Sequence, residues 1–282
     1  MSDCNHNCDG CTASCDKNKS LLAKAPKDSN IKKIIGVVSG KGGVGKSMVT
    51  SLIATELAKE GYKVGILDSD ITGPSIPKAF GVTESIHGTA DTMYPSKSSL
   101  GIEVMSINLI LQDPSTPVLW RGPVIGGAIK QFYSDTCWGD LDYLFVDMPP
   151  GTGDVALTVF QSIPVDGVII VSTPQDLVKM IVGKAVNMCN QMNIKIIGLV
   201  ENMSYMECPC CKEKVYPFGD SKLEEVAFHY DILPLQALPI NPNYAKLVDD
   251  GKIEAIDTSF IKDTVEAVKK FGVKHLDRNI VK

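Results

Sequence analysis

The stretch that decides the fold is Ser39-Gly40-Lys41-Gly42-Gly43-Val44-Gly45-Lys46-Ser47. Its Gly-x4-Gly-Lys-Ser spacing is that of a phosphate-binding loop. An apolar run at 34–38 precedes it, and residues 47–59 follow it with the spacing of a helix. A strand that enters a glycine-rich turn at the start of a helix presents backbone N–H groups and the positive end of the helix dipole to a chain of phosphates.

The residue types in this stretch predict a nucleoside triphosphate site. Lys46 supplies a positive charge for the β- and γ-phosphates, and the Ser47 hydroxyl can bind Mg²⁺. An accidental glycine-rich turn is the alternative, and the combination of strand, spacing and helix argues against it. The predicted nucleotide contacts are Gly40, Lys41, Gly42, Gly43, Val44, Gly45, Lys46 and Ser47.

The composition is that of a soluble globular protein, with 44% hydrophobic and 22% charged residues. The net charge of −5 argues against a non-specific nucleic-acid binder and against a polybasic membrane anchor. No apolar run approaches the roughly 18 residues that span a bilayer, and residues 1–6 have neither the basic start nor the apolar stretch of a signal peptide. We therefore expect a cytoplasmic protein, in which nine cysteines indicate metal or redox chemistry rather than disulfides.

Two regions of the chain differ in character. Residues 1–30 form a polar, cysteine-rich extension and linker, and residues 31–282 form the predicted ATPase domain, in which strand-like runs alternate with helical patterns. This alternation predicts an α/β fold with a doubly wound, mostly parallel sheet flanked by helices. The predicted strands lie near 33–38, 63–68, 102–107, 142–147, 167–172, 194–200 and 233–238. The predicted helices lie near 46–60, 122–134, 153–161, 176–191, 221–230, 242–249 and 258–271.

The last predicted helix has apolar residues at core-facing spacing and lysines near its end. A membrane-surface helix would share both features. Acidic residues on the same helix dilute its basic face, so we expect it to pack against the sheet.

Two acidic residues follow the second predicted strand, in Leu67-Asp68-Ser69-Asp70. The carboxyl ends of parallel strands are where open α/β sheets bind ligands. We predict that Asp70 is a catalytic residue that positions the attacking water. The alternative for both acids is a loop residue that caps the helix after Pro74, and for Asp68 the two interpretations stay open.

A third acid ends the apolar strand Leu144-Phe145-Val146-Asp147. This is the Walker B pattern, in which Asp147 holds Mg²⁺ through its water shell. The loop at 148–154 follows, and its two prolines and two glycines make it stiff while letting its backbone approach a γ-phosphate. Such a loop suits a switch that responds to the state of the nucleotide.

A lysine inside the loop, at Lys41, is unusual for phosphate loops in general. Lys41-Gly42-Gly43-Val44-Gly45-Lys46-Ser47 resembles the deviant Walker A motif of the MinD/ParA/nitrogenase-iron-protein class. In that class the first lysine reaches across a homodimer to the partner's nucleotide. The resemblance therefore implies a homodimer and a catalytic role for Lys41 beside Lys46.

Further motifs narrow the resemblance to the Mrp/ApbC/Nbp-type family of P-loop ATPases, which carry iron–sulfur clusters. The match covers about residues 31–250, with the motifs in order. The resemblance implies that Asn202 contacts the adenine base. From the residues alone, Asn202 is only a polar residue at the end of a strand. The motifs are Asp70-Ile71-Thr72-Gly73-Pro74-Ser75, Trp120-Arg121-Gly122-Pro123, the run 147–154, Thr173-Pro174-Gln175 and Val200-Glu201-Asn202-Met203-Ser204.

Cys208-Pro209-Cys210-Cys211 resembles the Cys-x-x-Cys motif of the same family, with Cys208 and Cys211 at the two ligand positions. In that family one pair from each subunit holds a bridging 4Fe–4S cluster at the dimer interface. Two thiolates per chain are half a ligand set, which a two-fold axis would complete. Cys210 stands where the family has a non-ligand residue and is a candidate third thiolate. A zinc site within one chain is the alternative, but no second pair of Cys or His follows nearby.

A second group of cysteines lies in the N-terminal extension. Cys4, Cys8, Cys11 and Cys15 are close enough in sequence to close around one metal centre. Analogy with the eukaryotic-type branch of the family suggests an iron–sulfur cluster, while a zinc ion and an unligated tail stay open.

Together the motifs predict a homodimeric carrier that uses ATP and Mg²⁺ to assemble 4Fe–4S clusters and transfer them to apoproteins, with no nucleic-acid or membrane partner. The alternative is a MinD/ParA-like positioning ATPase that acts on membrane or DNA. The acidic balance and the cysteine motifs argue against it. A nitrogenase-like reductase is a third hypothesis, but its two cysteines are separated whereas Cys208 and Cys211 are close together and late in the chain.

Overall fold

The strand that enters the phosphate loop lies in the middle of a mostly parallel sheet. The structure, a computed structural model, describes residues 22–24, 26, 28–71, 73–89, 91–111, 120, 122–175 and 177–272. In this part of the chain, the strands that run parallel to one another are, in order across the sheet, β11 (Pro234–Pro239), β9 (Lys195–Glu207), β8 (Gly167–Ser172), β1 (Ser29–Val38), β7 (Gly139–Asp147), β2 (Val64–Asp68) and β6 (Glu103–Met105).

The direction of chain progress across the sheet reverses at β1. Strands β7, β2 and β6 lie on one side of it, and β8, β9 and β11 lie on the other. This reversal is the topological switch point at which doubly wound sheets bind their ligands. The phosphate loop follows β1, so the fold places it at that point. The predicted fold class is confirmed.

Helices cover both faces of the sheet. One face carries α1 (Lys46–Lys59), α2 (Ile76–Phe80), α7 (Pro242–Asp249) and α8 (Lys262–Lys270). The other carries α3 (Gly122–Ser134), α4 (Asp154–Ser162), α5 (Val178–Gln191) and α6 (Leu223–Tyr230).

The central strand shows why both faces need cover. Its side chains alternate between the two cores, with Ile34 and Val38 on the α3–α6 side and Ile35 and Val37 on the α1 side. Successive side chains of a strand point to opposite faces, and all four are buried. A continuous apolar run is therefore the expected sequence of a strand covered on both faces.

Each of the seven predicted strands and seven predicted helices has a counterpart in the structure, and the differences concern short or irregular segments. The strand predicted at 194–200 continues to Glu207. The prediction ended too early because the second half of the strand leaves the apolar core and its sequence loses the hydrophobic run. The helix predicted from residue 258 begins as a 3-10 turn, Ser259–Ile261. Elements too short to show a period were missed, namely α2, β3 (His87–Gly88), β4 (Met93–Tyr94), β5 (Ser96–Lys97) and β10 (Lys214–Val215).

The packing of the last helix agrees with the sequence-based expectation. Val265 and Val268 of α8 are fully buried in the core that also contains α1. The apolar face of α8 is therefore covered by the protein itself. Among the described residues, no helix has the length and apolar character required to cross a bilayer.

Candidate functional site

The phosphate loop depends on glycine for its conformation and for its packing. Gly43 and Gly45 adopt left-handed backbone angles, with φ of 78° and 79°, and Gly45 precedes the first residue of α1. A methyl group on Gly40 would overlap the main-chain carbonyl of Ile181 in α5. Glycine carries no Cβ, so it tolerates both the positive φ and the close approach of α5.

A cavity of about 290 Å³ lies against the loop. Residues 42–47 of the loop line it together with Asp70 and Pro150, so three separately predicted motifs meet in one site. The remaining wall is largely apolar and includes Met48, Ala79, Val248 and Ile253. A polar, glycine-lined end beside an apolar wall suits a ligand with a charged and an apolar part.

Asp147 is the centre of the polar network below the loop. Its side chain is completely buried, and Lys46 Nζ lies 2.7 Å from Oδ1. The hydroxyl of Ser47 donates to Oδ2 at 2.5 Å, and that of Thr50 donates to Oδ1 at 2.8 Å. A hydroxyl and a carboxylate side by side are the hard oxygen ligands that Mg²⁺ prefers, so the donor set at Ser47 and Asp147 fits this ion.

Asp68 lies beside Asp147 in the neighbouring strand, since the two residues are paired in the register of β2 and β7. It is fully buried. Burial raises the pKa of Asp68 from an ordinary 3.8 to about 8, and the Asp147 carboxylate adds to the rise while Lys46 opposes it. Its oxygens accept hydrogen bonds from the backbone N–H groups of Asp70 at 3.2 Å and Ile76 at 3.3 Å. Asp68 therefore holds the segment that carries Asp70.

The raised pKa of Asp68 predicts a pH-dependent stability. Between pH about 4 and about 8 the folded protein keeps a proton on Asp68 that the unfolded chain has released. Relative to Asp68→Asn, the free energy of unfolding of the wild type should therefore fall as pH rises through this window. Urea unfolding of both proteins over a pH series measures the difference. Asp140→Asn, at a side chain that is 72% exposed, is the control, and parallel profiles for the wild type and Asp68→Asn would contradict the prediction.

Lys41 points away from the phosphate side of its own loop. Its Nζ donates to Gln175 Oε1, in the Thr173-Pro174-Gln175 motif. Lys41 is not among the described residues that line the cavity beside the loop. The two lysines of the loop thus face different directions, with Lys46 directed inward to Asp147 and Lys41 directed to the α5 side.

Asn202 supports the loop from below. Its Nδ2 donates to the carbonyl oxygen of Val44 at 2.9 Å, and only 3% of the residue is exposed. A methyl group on Gly45 would overlap the same amide nitrogen. Asn202 is therefore in direct contact with the loop, and its predicted contact with adenine stays a prediction.

The predicted switch loop is attached directly to the phosphate loop. The N–H of Gly151 donates to the carbonyl oxygen of Ser39 at 3.0 Å, and that of Met148 donates to Val37 at 3.1 Å. Pro150 reaches the cavity wall. Movement of either loop would therefore displace the other.

The cysteine motif forms the tip of a hairpin. β9 pairs with β10 in the antiparallel sense, with Glu207 opposite Lys214. The N–H of Cys208 donates to the carbonyl of Glu213, and the N–H of Lys212 donates to the carbonyl of Cys208, both at 2.9 Å. Lys212 closes the turn with a left-handed φ of 64°. Hydrogen bonds on both sides therefore fix the backbone of the turn.

The thiols at this tip are accessible and differ in environment. Cys210 and Cys211 are exposed, and Cys208 is half-buried. Hydrogen bonds from the backbone N–H groups of Cys211 and Cys210 lower the pKa of the Cys208 thiol, because they stabilise its thiolate. Within the described residues no three Cys, His, Asp or Glu side chains form a preformed metal site. Cys4, Cys8, Cys11 and Cys15 lie outside those residues.

Comparison with known proteins identifies the family. Residues 30–272 match the ParA family model, described as NUBPL iron-transfer P-loop NTPase. This chain belongs to that family. An iron-sulfur cluster carrier protein of Clostridium perfringens is 46% identical over 268 residues, which cover 87% of this chain and 94% of that protein. The cytosolic Fe-S cluster assembly factor CFD1 of Kluyveromyces lactis is 39% identical over 261 residues, which cover 90% of each chain.

A solved structure supports the assignment to this family. The nucleotide-binding protein of Archaeoglobus fulgidus, in complex with ADP, is 44% identical and superposes with a TM-score of 0.73. The similarity covers 80% of this chain and 89% of that one. The resemblance to iron–sulfur-carrying P-loop ATPases that the motifs predicted is therefore confirmed at the level of the family.

Three residues of this P-loop NTPase site were not predicted from the sequence. Thr50 donates to the Walker B carboxylate, and the Ser69 hydroxyl donates to the Asp147 carbonyl at 2.7 Å. Ser106 Oγ lies 3.3 Å from Asp68 Oδ2. Thr50 recurs one helical turn after Lys46, which is a signal that spacing could have revealed. Ser106 had no such signal, because only the sheet brings β6 next to β2.

Proposed function

We propose that the protein is an ATP-hydrolysing carrier that assembles 4Fe–4S clusters as a homodimer and transfers them to apoproteins in the cytoplasm. The observation that carries the proposal is that one strand joins the two sites. β9 contacts the phosphate loop through Asn202 and ends at Glu207, directly before Cys208 and the cysteine turn. The names of the bacterial carrier and of the cytosolic yeast assembly factor support the same function.

The nucleotide chemistry follows from the polar network of the loop. Backbone N–H groups of the loop and the ammonium of Lys46 bind the phosphates. Ser47 and Asp147 hold Mg²⁺, which when bound neutralises negative charge on the phosphate oxygens. Asp70 lines the same cavity and positions the attacking water.

Two further residues complete the proposed nucleotide site. Lys41 faces away from its own cavity toward Gln175, so we assign it to the nucleotide of the second subunit. Asn202 donates its amide N–H to Val44, so we assign its carbonyl oxygen to the amino group of adenine. The assignment of Asn202 requires a base with a 6-amino group, as in ATP, whereas Lys41 would contact the phosphates and places no demand on the base.

The cluster is the cargo of the proposed reaction. Cys208 and Cys211 contribute two thiolates from each chain, and a two-fold axis brings the two exposed turns together to make four. Cys4, Cys8, Cys11 and Cys15 are a separate candidate site for a second cluster in each chain.

Anaerobic reconstitution with iron and sulfide tests this function. We expect a visible iron–sulfide absorbance band, dimer elution in size exclusion, and about two iron atoms per chain at the shared site. A full-length variant in which Cys4, Cys8, Cys11 and Cys15 are alanine should keep that shared cluster and lose any further iron. Reconstituted protein without the absorbance band would contradict the proposal, and ATP-dependent co-sedimentation with liposomes or DNA would favour a positioning ATPase instead.

A further inference from the structure

The strand that joins the two sites is irregular at one residue. Met203 has a left-handed φ of 58° inside β9. Here the register with β11 shifts, because Ala237 pairs with Glu201 while Pro239 pairs with Tyr205. A left-handed residue with a long side chain is strained and persists only where its surroundings hold it. β9 therefore contains a bulge between the sheet core and the cysteine turn.

The bulge turns two consecutive side chains toward the phosphate loop. Asn202 Nδ2 lies 2.9 Å from the carbonyl oxygen of Val44. Met203 Cε lies 3.6 Å from the point where a Cβ on Gly45 would be placed. In a regular strand, neighbouring side chains point to opposite faces, so both contacts with the loop depend on the irregular backbone.

The bulge also separates a fixed part of β9 from a projecting part. The last residue of β9 paired with β8 is Glu201, opposite Ser172. Beyond the bulge Tyr205 still pairs with Pro239 of β11, and the strand then projects as a ribbon with β10, in which Val215 pairs with Met206. Lys214 Nζ lies 4.0 Å from the centre of the Tyr205 ring and braces this ribbon.

A buried carboxylate spans the bulge. Glu201 Oε1 accepts a hydrogen bond from Ser204 Oγ at 2.7 Å, and Oε2 accepts one from the backbone N–H of Lys222 at 2.9 Å. Both Glu201 and Ser204 are buried. These hydrogen bonds fix the shape of the bulge, so a shift of the backbone on one side of Met203 also moves the backbone on the other side.

We propose that Met203 is a hinge through which nucleotide bound at the phosphate loop repositions the Cys208–Cys211 turn within the same chain. That this coupling serves cluster transfer rests on the proposed function. The path from the phosphate loop through Met203 to the cysteine turn does not depend on it. A phosphate held by the backbone at Val44 and Gly45 shifts the Val44 carbonyl to which Asn202 donates, together with the Gly45 backbone beside which the end of the Met203 side chain lies. The ribbon beyond Met203 turns with them. Met203 is a positioning residue, since it lies below the loop and contacts no reacting atom.

The test is the alkylation rate of Cys208 and Cys211 in cluster-free protein, read by peptide mass spectrometry. The rate is measured without nucleotide and with Mg²⁺ and a non-hydrolysable ATP analogue. In the wild type we expect the nucleotide to change the rate by roughly threefold or more. Met203→Gly keeps the left-handed backbone without strain but removes the side chain that lies beside Gly45, and we expect the nucleotide effect to disappear while analogue binding persists.

Two variants separate the side-chain contact from the backbone geometry. Met203→Leu restores an apolar side chain of similar size and should restore the nucleotide effect. Asn193→Gly replaces another left-handed residue, with φ of 53°, in the turn before β9, and should leave the effect unchanged. A wild-type effect that depends on protein concentration, or a full effect in Met203→Gly, overturns the proposal. Because the readout needs no cluster, iron content measured after anaerobic reconstitution of separate, unalkylated portions of the same preparations reports independently on the carrier function.

Discussion

Replacing either Cys208 or Cys211 with alanine is expected to abolish the cluster, whereas Cys210→Ala should retain it. Each chain supplies two ligands to a shared site, so one substitution removes two of four thiolates from the dimer. Loss of a second-shell partner already costs about tenfold or more in metal affinity, and loss of two direct ligands costs more. The measurement is iron and sulfide content with the visible absorbance after anaerobic reconstitution.

The hairpin explains why the three neighbouring cysteines should differ. The backbone of the turn is closed by hydrogen bonds at Cys208 and Lys212, and the N–H groups of Cys211 and Cys210 point at the Cys208 thiol. Cys137→Ala, which removes a half-buried thiol elsewhere in the chain, is the matched control. Equal loss of cluster in Cys210→Ala would show that the ligand assignment is wrong.

Lys46→Met is expected to lower ATP hydrolysis by roughly 10²–10³-fold, because the transition state loses the positive charge aimed at its phosphate oxygens. The same change should destabilise the fold by about 3 kcal/mol, since it leaves the buried Asp147 carboxylate without its cation. The 2.7 Å pair is almost completely buried, so solvent screens it little. Steady-state phosphate release and urea unfolding measure the two effects.

Two controls separate catalysis from stability. Lys46→Met combined with Asp147→Asn removes the unpaired charge, so it should regain most of the stability and none of the hydrolysis. Lys78→Met breaks an exposed pair with Asp249, at 3.3 Å, and should cost less than about 1 kcal/mol. Hydrolysis by Lys46→Met within about tenfold of the wild type would rule out the role given to this lysine.

The phosphate loop and the Walker B acid could be predicted because their signals are local. The spacing of Gly40, Gly45, Lys46 and Ser47 specifies the turn and the start of α1, and the apolar run before Asp147 specifies a buried strand. Each pattern needs only a few neighbouring residues to be complete. The order of strands and helices followed for the same reason.

The protonation of Asp68 could not be predicted in this way. The sequence left Asp68 open between a functional acid and a capping residue. Its raised pKa comes from complete burial and from Asp147 in the paired strand. Burial and strand neighbours are properties of the packed sheet, because β7 follows β2 by some seventy residues of chain.

By itself the sequence determined the nucleotide loop, the doubly wound α/β order of elements and the pair of cysteines late in the chain, since each is a short pattern of residue types. Only the tertiary structure decided how these parts are connected. Asn202 and Val44 are 158 residues apart and meet because β9 packs beneath the loop. The left-handed Met203 has no signature in the sequence, since its φ is imposed by the surrounding sheet and loop.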